Sequence, residues 1–361
     1  KNVTALADPG VELKEGSNLT LTCKADSLPE VSAYTWIKSS VTHSETVGHG
    51  QKITLHFLKS SDSDHYFCIS RNEIGSANSS SIFIRVKYAP KGVDINPKLA
   101  ELKEGDKLTL MCLVQSSNPE VDMQSYKWYK DGQEINQQTM NTFTVPSVRQ
   151  RDKGGYQCQA RNSVGETMST HITLVSVKYP PKTPNLTMKE VVKEGELYTI
   201  TCTVESSPQA TLTLSRSSLT NPEKDIITVN EIQSNILKFA ANATVSDAGM
   251  YTCEAENTEG KNFSKNQLKV LYAPKSVTAL ADPGVELKEG SNLTLTCKAD
   301  SLPEVSAYTW IKSSVTHSET VGHGQKITLH FLKSSDSDHY FCISRNEIGS
   351  ANSSSIFIRV K

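Results

Sequence analysis

The chain is short of most features that would make it a catalyst or a nucleic-acid binder. No stretch approaches the roughly 20 consecutive apolar residues that a membrane-spanning helix requires. There is also no apolar leader at the start, so any signal or anchor is expected to lie outside this sequence. No basic run is present, and the net charge is −1, which leaves no long-range field to gather nucleic acid or an anionic membrane surface. No C-x-x-C cluster brings two cysteines onto one ion. No G-x-S-x-G elbow, H-E-x-x-H pair, P-loop or dinucleotide-binding glycine motif occurs, so no enzyme chemistry and no cofactor are expected.

What is present is regular. The 361 residues suffice for two to four domains. Eight cysteines fall into four pairs, Cys23 and Cys68, Cys112 and Cys158, Cys202 and Cys253, Cys297 and Cys342, separated by 45, 46, 51 and 45 residues. Such pairs read as disulfides of an oxidising compartment. In the chain-entropy picture, a ring of that size constrains the unfolded state by about 4 kcal/mol. Eight N-x-S/T sequons, at Asn2, Asn18, Asn78, Asn185, Asn242, Asn262, Asn292 and Asn352, point to the same secretory route.

The first cysteines of successive pairs lie 89, 90 and 95 residues apart, the length of one small β-sandwich. Each repeat opens with Lys-Glu-Gly, at 14–16, 103–105, 193–195 and 288–290, and leads into an alternating strand such as Leu19, Leu21 and Cys23. A period of two marks a sheet with one buried and one wet face. An aspartate (Asp62, Asp152, Asp247, Asp336) precedes a tyrosine two residues before the second cysteine: Tyr66, Tyr156, Tyr251 and Tyr340. That tyrosine is expected to form the corner whose hydroxyl bonds to upstream backbone. An Asn-x-x-Gly turn then follows at 72–75, 162–165, 257–260 and 346–349. Trp36, Trp128 and Trp310 are placed to pack on the disulfides, and Leu214 takes that place in the third repeat. Leucine fills less space, so the third repeat is expected to be the least stable.

Residues 3–87 and 277–361 are identical, a displacement of three repeats. A duplicated block and a slice of a longer periodic array both account for this. The junctions read Val86-Lys-Tyr-Ala-Pro-Lys91, Val177-Lys-Tyr-Pro-Pro-Lys182 and Val270-Leu-Tyr-Ala-Pro-Lys275, with no Gly/Ser spacer. Proline favours extended geometry in its predecessor, so each last strand is expected to run straight into the next repeat, with Tyr88, Tyr179 and Tyr272 at the contacts. The expected object is an elongated rod about 140 Å long. The boundaries are 1–88, 89–178, 179–272 and 273–361.

Nine histidines invite a metal reading: His43, His49, His56, His65, their copies His317, His323, His330 and His339, and a lone His171. His43 and His49 flank a loop read as solvated, and Asp62-x-Asp64-His65 falls in a turn between strands, so neither is assigned a metal. The junctions carry lysine rather than the acidic clusters calcium would need. Ser32 to Ile37 and Ser306 to Ile311 match an inhibitory tyrosine motif, yet contain the core tryptophan of a disulfide-bonded strand and are set aside. Glycans at Asn18 and Asn292 would mask one sheet face of the first and fourth repeats.

Cysteine, tryptophan, tyrosine corner and spacing together resemble the immunoglobulin superfamily, of the I-set or C2-set kind, over essentially the whole chain. The resemblance implies an all-β fold of four tandem immunoglobulin-like sandwiches. The Tyr-Ala-Pro-Lys linkers are similar to the stalk of the sialic-acid-binding Ig-like lectins, particularly the B-cell inhibitory type. In that family the sugar site belongs to a terminal V-set domain with an essential arginine. Arg71 recurs as Arg161 and Arg345, so it is read as structural or exposed, and no sugar site is assigned. The resemblance implies the extracellular or cell-surface part of an adhesion or immune receptor, a rigid spacer whose partners are other surface proteins or glycans. A homophilic module or a self-assembling filament is the alternative.

Overall fold

A computed structural model describes residues 2–217 and 225–361 of the chain, with residues 225–228 described by backbone only. Among the described residues the regular structure is all β apart from four 3-10 turns. The chain divides into two compact units, Lys1–Lys178 and Tyr179–Lys361. Each unit contains two hydrophobic cores, and each core is built round one disulfide.

The first module shows how sequence becomes sandwich. In strand Leu19–Ala25, Leu19, Leu21 and Cys23 are buried, while the threonines between them face outward. The strand lies between Val3–Asp8 and Lys52–Leu55, antiparallel to both. The facing sheet runs Ser44–His49, Ala33–Ser39, Asp64–Arg71, Ile82–Lys91. Glu12–Lys14 joins its far edge in parallel. The opening segment thus starts in one sheet and finishes in the other. The crossover is made at residues 9–11, and the Lys-Glu-Gly turn that follows returns the chain to the first sheet at Leu19, closing through Gly16 N–H to Leu58 O (2.7 Å) and Glu15 N–H to Lys87 O (2.8 Å). Gly16, Gly105, Gly195 and Gly290 have φ of +83°, +97°, +82° and +81°, the left-handed region that glycine enters without steric cost. That geometry accounts for the glycine in every copy.

The aspartate and tyrosine of each repeat form one device. Asp62, Asp152, Asp247 and Asp336 end the 3-10 turns and accept the main-chain N–H three residues back, at 2.7–2.9 Å. The tyrosine hydroxyls donate to the carbonyl oxygens of these aspartates: Tyr66 at 2.9 Å, Tyr156 at 2.8 Å, Tyr251 at 3.1 Å and Tyr340 at 2.8 Å. Burial, then the Asp152 and Asp131 carboxylates, push the Tyr156 phenol up to about 12, so it remains a donor. Tyr156→Phe strands the Asp152 carbonyl and is expected to cost about 1 kcal/mol. Hydrogen exchange across 154–161 would read this as a roughly fivefold loss of protection, and unchanged protection would contradict the assignment.

In the first, second and fourth modules the tryptophan is opposite the second cysteine: Trp36 with Cys68, Trp128 with Cys158, Trp310 with Cys342, all fully buried. Leu214 lies opposite Cys253, so it is the positional counterpart of the tryptophans. The third module does more than lose an indole. Tyr198 stands four residues before Cys202, where the first module has Leu19, and its hydroxyl meets that of Tyr251 at 3.1 Å. Its ring meets Phe239 edge-on at 6.1 Å. Arg216, the counterpart of Lys38 by strand register, is only 3% exposed. Its guanidinium donates to Asp247 at 2.6 Å. A crevice too narrow for water persists beside Leu214, lined by Arg216, Phe239 and Tyr251.

Candidate functional site

The Asn-x-x-Gly residues recur in every module without being needed by its core, and in the second, third and fourth modules they lie at the end where the preceding linker arrives. The Asn-x-x-Gly turn leaves the strand holding the second cysteine. In the second module the Asn162 carbonyl oxygen accepts the N–H groups of Val164 and Gly165, closing the turn on itself. Its amide nitrogen donates outward, to Tyr88 O in the arriving linker (2.8 Å) and to Pro119 O in the loop after the strand Ser116–Asn118 (2.9 Å). The same fork occurs at Asn257, to Tyr179 O and Pro208 O, each 3.0 Å. It occurs again at Asn346, to Tyr272 O and Pro303 O, each 2.9 Å.

The turn glycine leaves space for the linker. A Cβ on Gly165 would stand 3.2 Å from Ala89, one on Gly260 3.2 Å from Pro180, and one on Gly349 3.1 Å from Ala273. The linker also pairs as a strand. Tyr88 and Lys91 oppose Asn118 and Ser116, Tyr179 bridges Ser207, and Tyr272 and Lys275 oppose Leu302 and Asp300. In the second unit one strand, Gly260–Asp282, passes without interruption from one sandwich into the next. In the first unit Ile82–Lys91 carries through Tyr88-Ala-Pro in the same way.

At two junctions, those of Lys91 and Lys275, the linker lysine ties back to the module just left. Lys91 Nζ meets Glu15 at 2.7 Å and lies 4.7 Å from the Tyr88 ring centre. Lys275 meets Glu194 at 2.6 Å and lies 5.6 Å from the Tyr272 ring. The Lys91 hydrogen bond, opposed by burial and helped by the Ser60 N–H, holds the Glu15 carboxyl below the usual range. In the copies at Glu15 and Glu194 the Lys-Glu-Gly motif therefore does two jobs: its glycine shapes a turn and its glutamate anchors the departing linker.

The expected site residues are distributed as follows. The structure joins Cys23 to Cys68, Cys112 to Cys158, Cys202 to Cys253 and Cys297 to Cys342, and no cysteine is free. Arg71, Arg161 and Arg345 are exposed at strand ends. His43 and His49 are exposed, and no group of three metal-ligating side chains occurs among the described residues. His171 lies 3.0 Å from Asp94, beside Lys98. The Lys98 hydrogen bond, against burial and aided by the Ile95 N–H and His171, depresses the Asp94 carboxyl to about 2. Seven sequon asparagines are exposed; Asn262 is half-buried, its amide nitrogen 3.3 Å from Thr183 Oγ1. No helix among the described residues is long and apolar enough to cross a membrane.

Reading the sequence placed Asn-x-x-Gly as a turn but missed the second half of its role. An Asx turn uses only the side-chain oxygen, which aspartate supplies equally well. Asparagine in all four copies was the signal that an amide donor was also required.

Comparison with known proteins agrees with this architecture. Immunoglobulin domain patterns match residues 2–72, 93–176, 180–257 and 275–346. The chain is 27% identical over 352 residues to B-cell receptor CD22 of Mus musculus, covering 94% of this chain and 38% of that protein. It is 25% identical over 366 residues to contactin-5 of Danio rerio, covering 94% of this chain and 34% of that protein. It thus spans little more than a third of the length of these relatives. Among solved structures, the titin I-band fragment I67–I69 superposes with TM-score 0.46 at 23% identity, over 76% of this chain and 99% of the fragment. Sidekick-1 immunoglobulin domains 1–4 superpose with TM-score 0.34 at 18% identity, over 99% of both chains. Four disulfide-centred sandwiches, each matched by an immunoglobulin-domain pattern, make this chain a member of the immunoglobulin-domain family, and a non-enzymatic one.

Proposed function

We propose that this chain is part of the extracellular region of a cell-surface adhesion or immune receptor, with modules at 1–88, 89–178, 179–272 and 273–361. It acts as a stiff spacer and recognition scaffold for surface proteins or glycans. The observation that carries this reading is the linker seat. A linker hydrogen-bonded to the module it enters and ion-paired to the module it leaves limits hinge freedom. The similarity to CD22 supports an immune receptor of the sialic-acid-binding Ig-like lectin type. No sugar site is assigned here, because Arg71 and its counterparts are simple exposed strand ends.

A fluorescent multimer of the chain, made through a secretory pathway, should label cells that express the counter-ligand. Protease treatment that abolishes labelling identifies a protein partner, and sialidase treatment that does so identifies a sialoglycan. Failure to label any of a broad panel of cell types would count against the reading. The identity of the first and fourth modules favours a second reading, a periodic self-associating array. Sedimentation showing concentration-dependent assembly would select it.

Passage through the secretory pathway predicts glycans at the exposed sequons. Asn262 should show the lowest occupancy, since its amide nitrogen, the attachment atom, is already bonded to Thr183. Site-by-site glycopeptide mapping checks both statements, and a chain bare at every sequon would overturn the compartment.

A further inference from the structure

In every module the glycine of Lys-Glu-Gly donates its N–H to a carbonyl across the corner: Gly16 to Leu58 O, Gly105 to Val148 O, Gly195 to Ala243 O and Gly290 to Leu332 O. That contact defines two exposed positions, one two residues after the glycine and one just before the carbonyl residue. They are Asn18 and Phe57 in the first module, Lys107 and Ser147 in the second, Leu197 and Asn242 in the third, Asn292 and Phe331 in the fourth. A sequon asparagine and a large exposed apolar side chain therefore occur together in the first, third and fourth modules, and the second has neither. In the third module the two have exchanged places, with Leu197, 62% exposed, directly opposite Asn242.

Phe57 is 74% exposed and Phe331 75%, so neither ring serves the core. Yet they hold φ of +52° and +54°, a region that is costly for a bulky residue and that glycine or asparagine enters more readily. The Phe57 N–H donates to Asn18 Oδ1 at 3.0 Å, and the Phe331 N–H to Asn292 Oδ1 at 3.2 Å. Each bond holds the carboxamide by its oxygen and leaves Nδ2, the atom that carries a glycan, next to the residue that bears the ring.

We propose that Phe57 and Phe331 are platforms for the first N-acetylglucosamine of glycans on Asn18 and Asn292, and that the seated sugar stabilises its module. The proposal rests on the secretory route inferred above and gives these two glycans a fixed position. One face of a pyranose ring presents C–H groups, which pack on the electron-rich face of an aromatic ring and take both surfaces out of water. The hydrogen bond to Asn18 Oδ1 orders the side chain beforehand, so little rotamer freedom is lost when the sugar docks. Leu197 offers the Asn242 sugar an apolar neighbour without a π face, a weaker form of the same cover.

The test uses the full chain secreted from cells fed isotope-labelled N-acetylglucosamine and trimmed by an endoglycosidase to a single sugar at each site. Thr20→Ala and Thr294→Ala remove the two sequons and so assign the Asn18 and Asn292 sugar resonances. Seating predicts that these lie upfield of the sugars on Asn78, Asn185 and Asn352, displaced by the ring current. Phe57→Ala with Phe331→Ala should return them to the common position, and Phe57→Trp with Phe331→Trp should keep them displaced. Removing the sugar with an amidase leaves aspartate, which retains the acceptor oxygen for the Phe57 N–H. That step should lower hydrogen-exchange protection over 52–58 and 326–332 by about twofold to tenfold in the parent, and leave the alanine pair unchanged. Occupied sites whose sugars resonate with the rest, or an equal loss of protection with and without the rings, overturn the proposal and leave the secretory reading intact. Asn18 and Asn292 bare while the other sequons are filled would do the same. A chain bare at every sequon would overturn both.

Discussion

Asp247→Asn is expected to destabilise the third module by about 3–5 kcal/mol and to make it the first to unfold on heating. Arg216 and Asp247 form an ion pair with side chains 4% and 13% exposed, the most deeply buried among those described. Removing one charge leaves the other desolvated and unmatched, a larger loss than the pair's net worth. The Arg216 Nε, already buried without a partner, cannot compensate. Removing the cation as well, as in Arg216→Met with Asp247→Asn, should restore most of the loss, since no uncompensated charge is then left in the core. Hydrogen exchange over 249–257, a segment unique to this module, measures both variants. Equal protection in the single variant and the parent would contradict the role given to the pair.

The same pair sets a pH dependence. Burial acts to raise the Asp247 carboxyl, but the Thr244 N–H and hydroxyl and the Arg216 guanidinium outweigh it and hold the group below its ordinary value of 3.8. A carboxyl whose folded pKa is depressed contributes stability that is complete above the unfolded value and is lost as pH falls through the folded one. Protection of 249–257 should therefore hold down to about pH 4 and decline below it. The Asp247→Asn chain should lack that dependence.

Most of the architecture was readable before any coordinates. Cysteine spacing, the alternation at Leu19-Thr-Leu-Thr-Cys23 and the recurrent Asp and Tyr each follow from a local rule of period, ring closure or hydrogen bonding. What escaped depended on partners distant in sequence. Arg216 looks like a surface residue until its strand register places it against Tyr251 and above Asp247. Leu214 seems merely small until Tyr198 and Phe239 are seen on the opposite side of the same core. The linker seat joins Asn346 to Tyr272, 74 residues away, through a carbonyl oxygen that no side-chain pattern reveals. Reading one module at a time obscures such contacts, whereas comparing the modules with one another exposes them.

That comparison also supplies the second large effect. Trp310→Leu gives the fourth module the residue that stands naturally at 214, but without the substitutions that accompany it. The indole is fully buried on the disulfide, and its Nε1–H donates to Gly324 O at 3.2 Å. Its loss should cost about 3 kcal/mol from transfer and cavity terms together. For a module of this size that lowers the transition by roughly 12–24 °C. Adding Leu293→Tyr and Lys312→Arg rebuilds the third module's set: a tyrosine whose hydroxyl can reach Tyr340, and a guanidinium that can reach Asp336, which Lys312 already approaches to 3.4 Å. If the third core is a coherent alternative packing and not a damaged version of the tryptophan core, the triple variant recovers at least half of the loss. Neither added substitution should help while Trp310 is retained, because the space that tyrosine and arginine would fill is already occupied. Calorimetry of the full chain, following the transition that splits from that of the identical first module, distinguishes these cases. Additive losses from all three substitutions would show that the third module is simply a weaker sandwich.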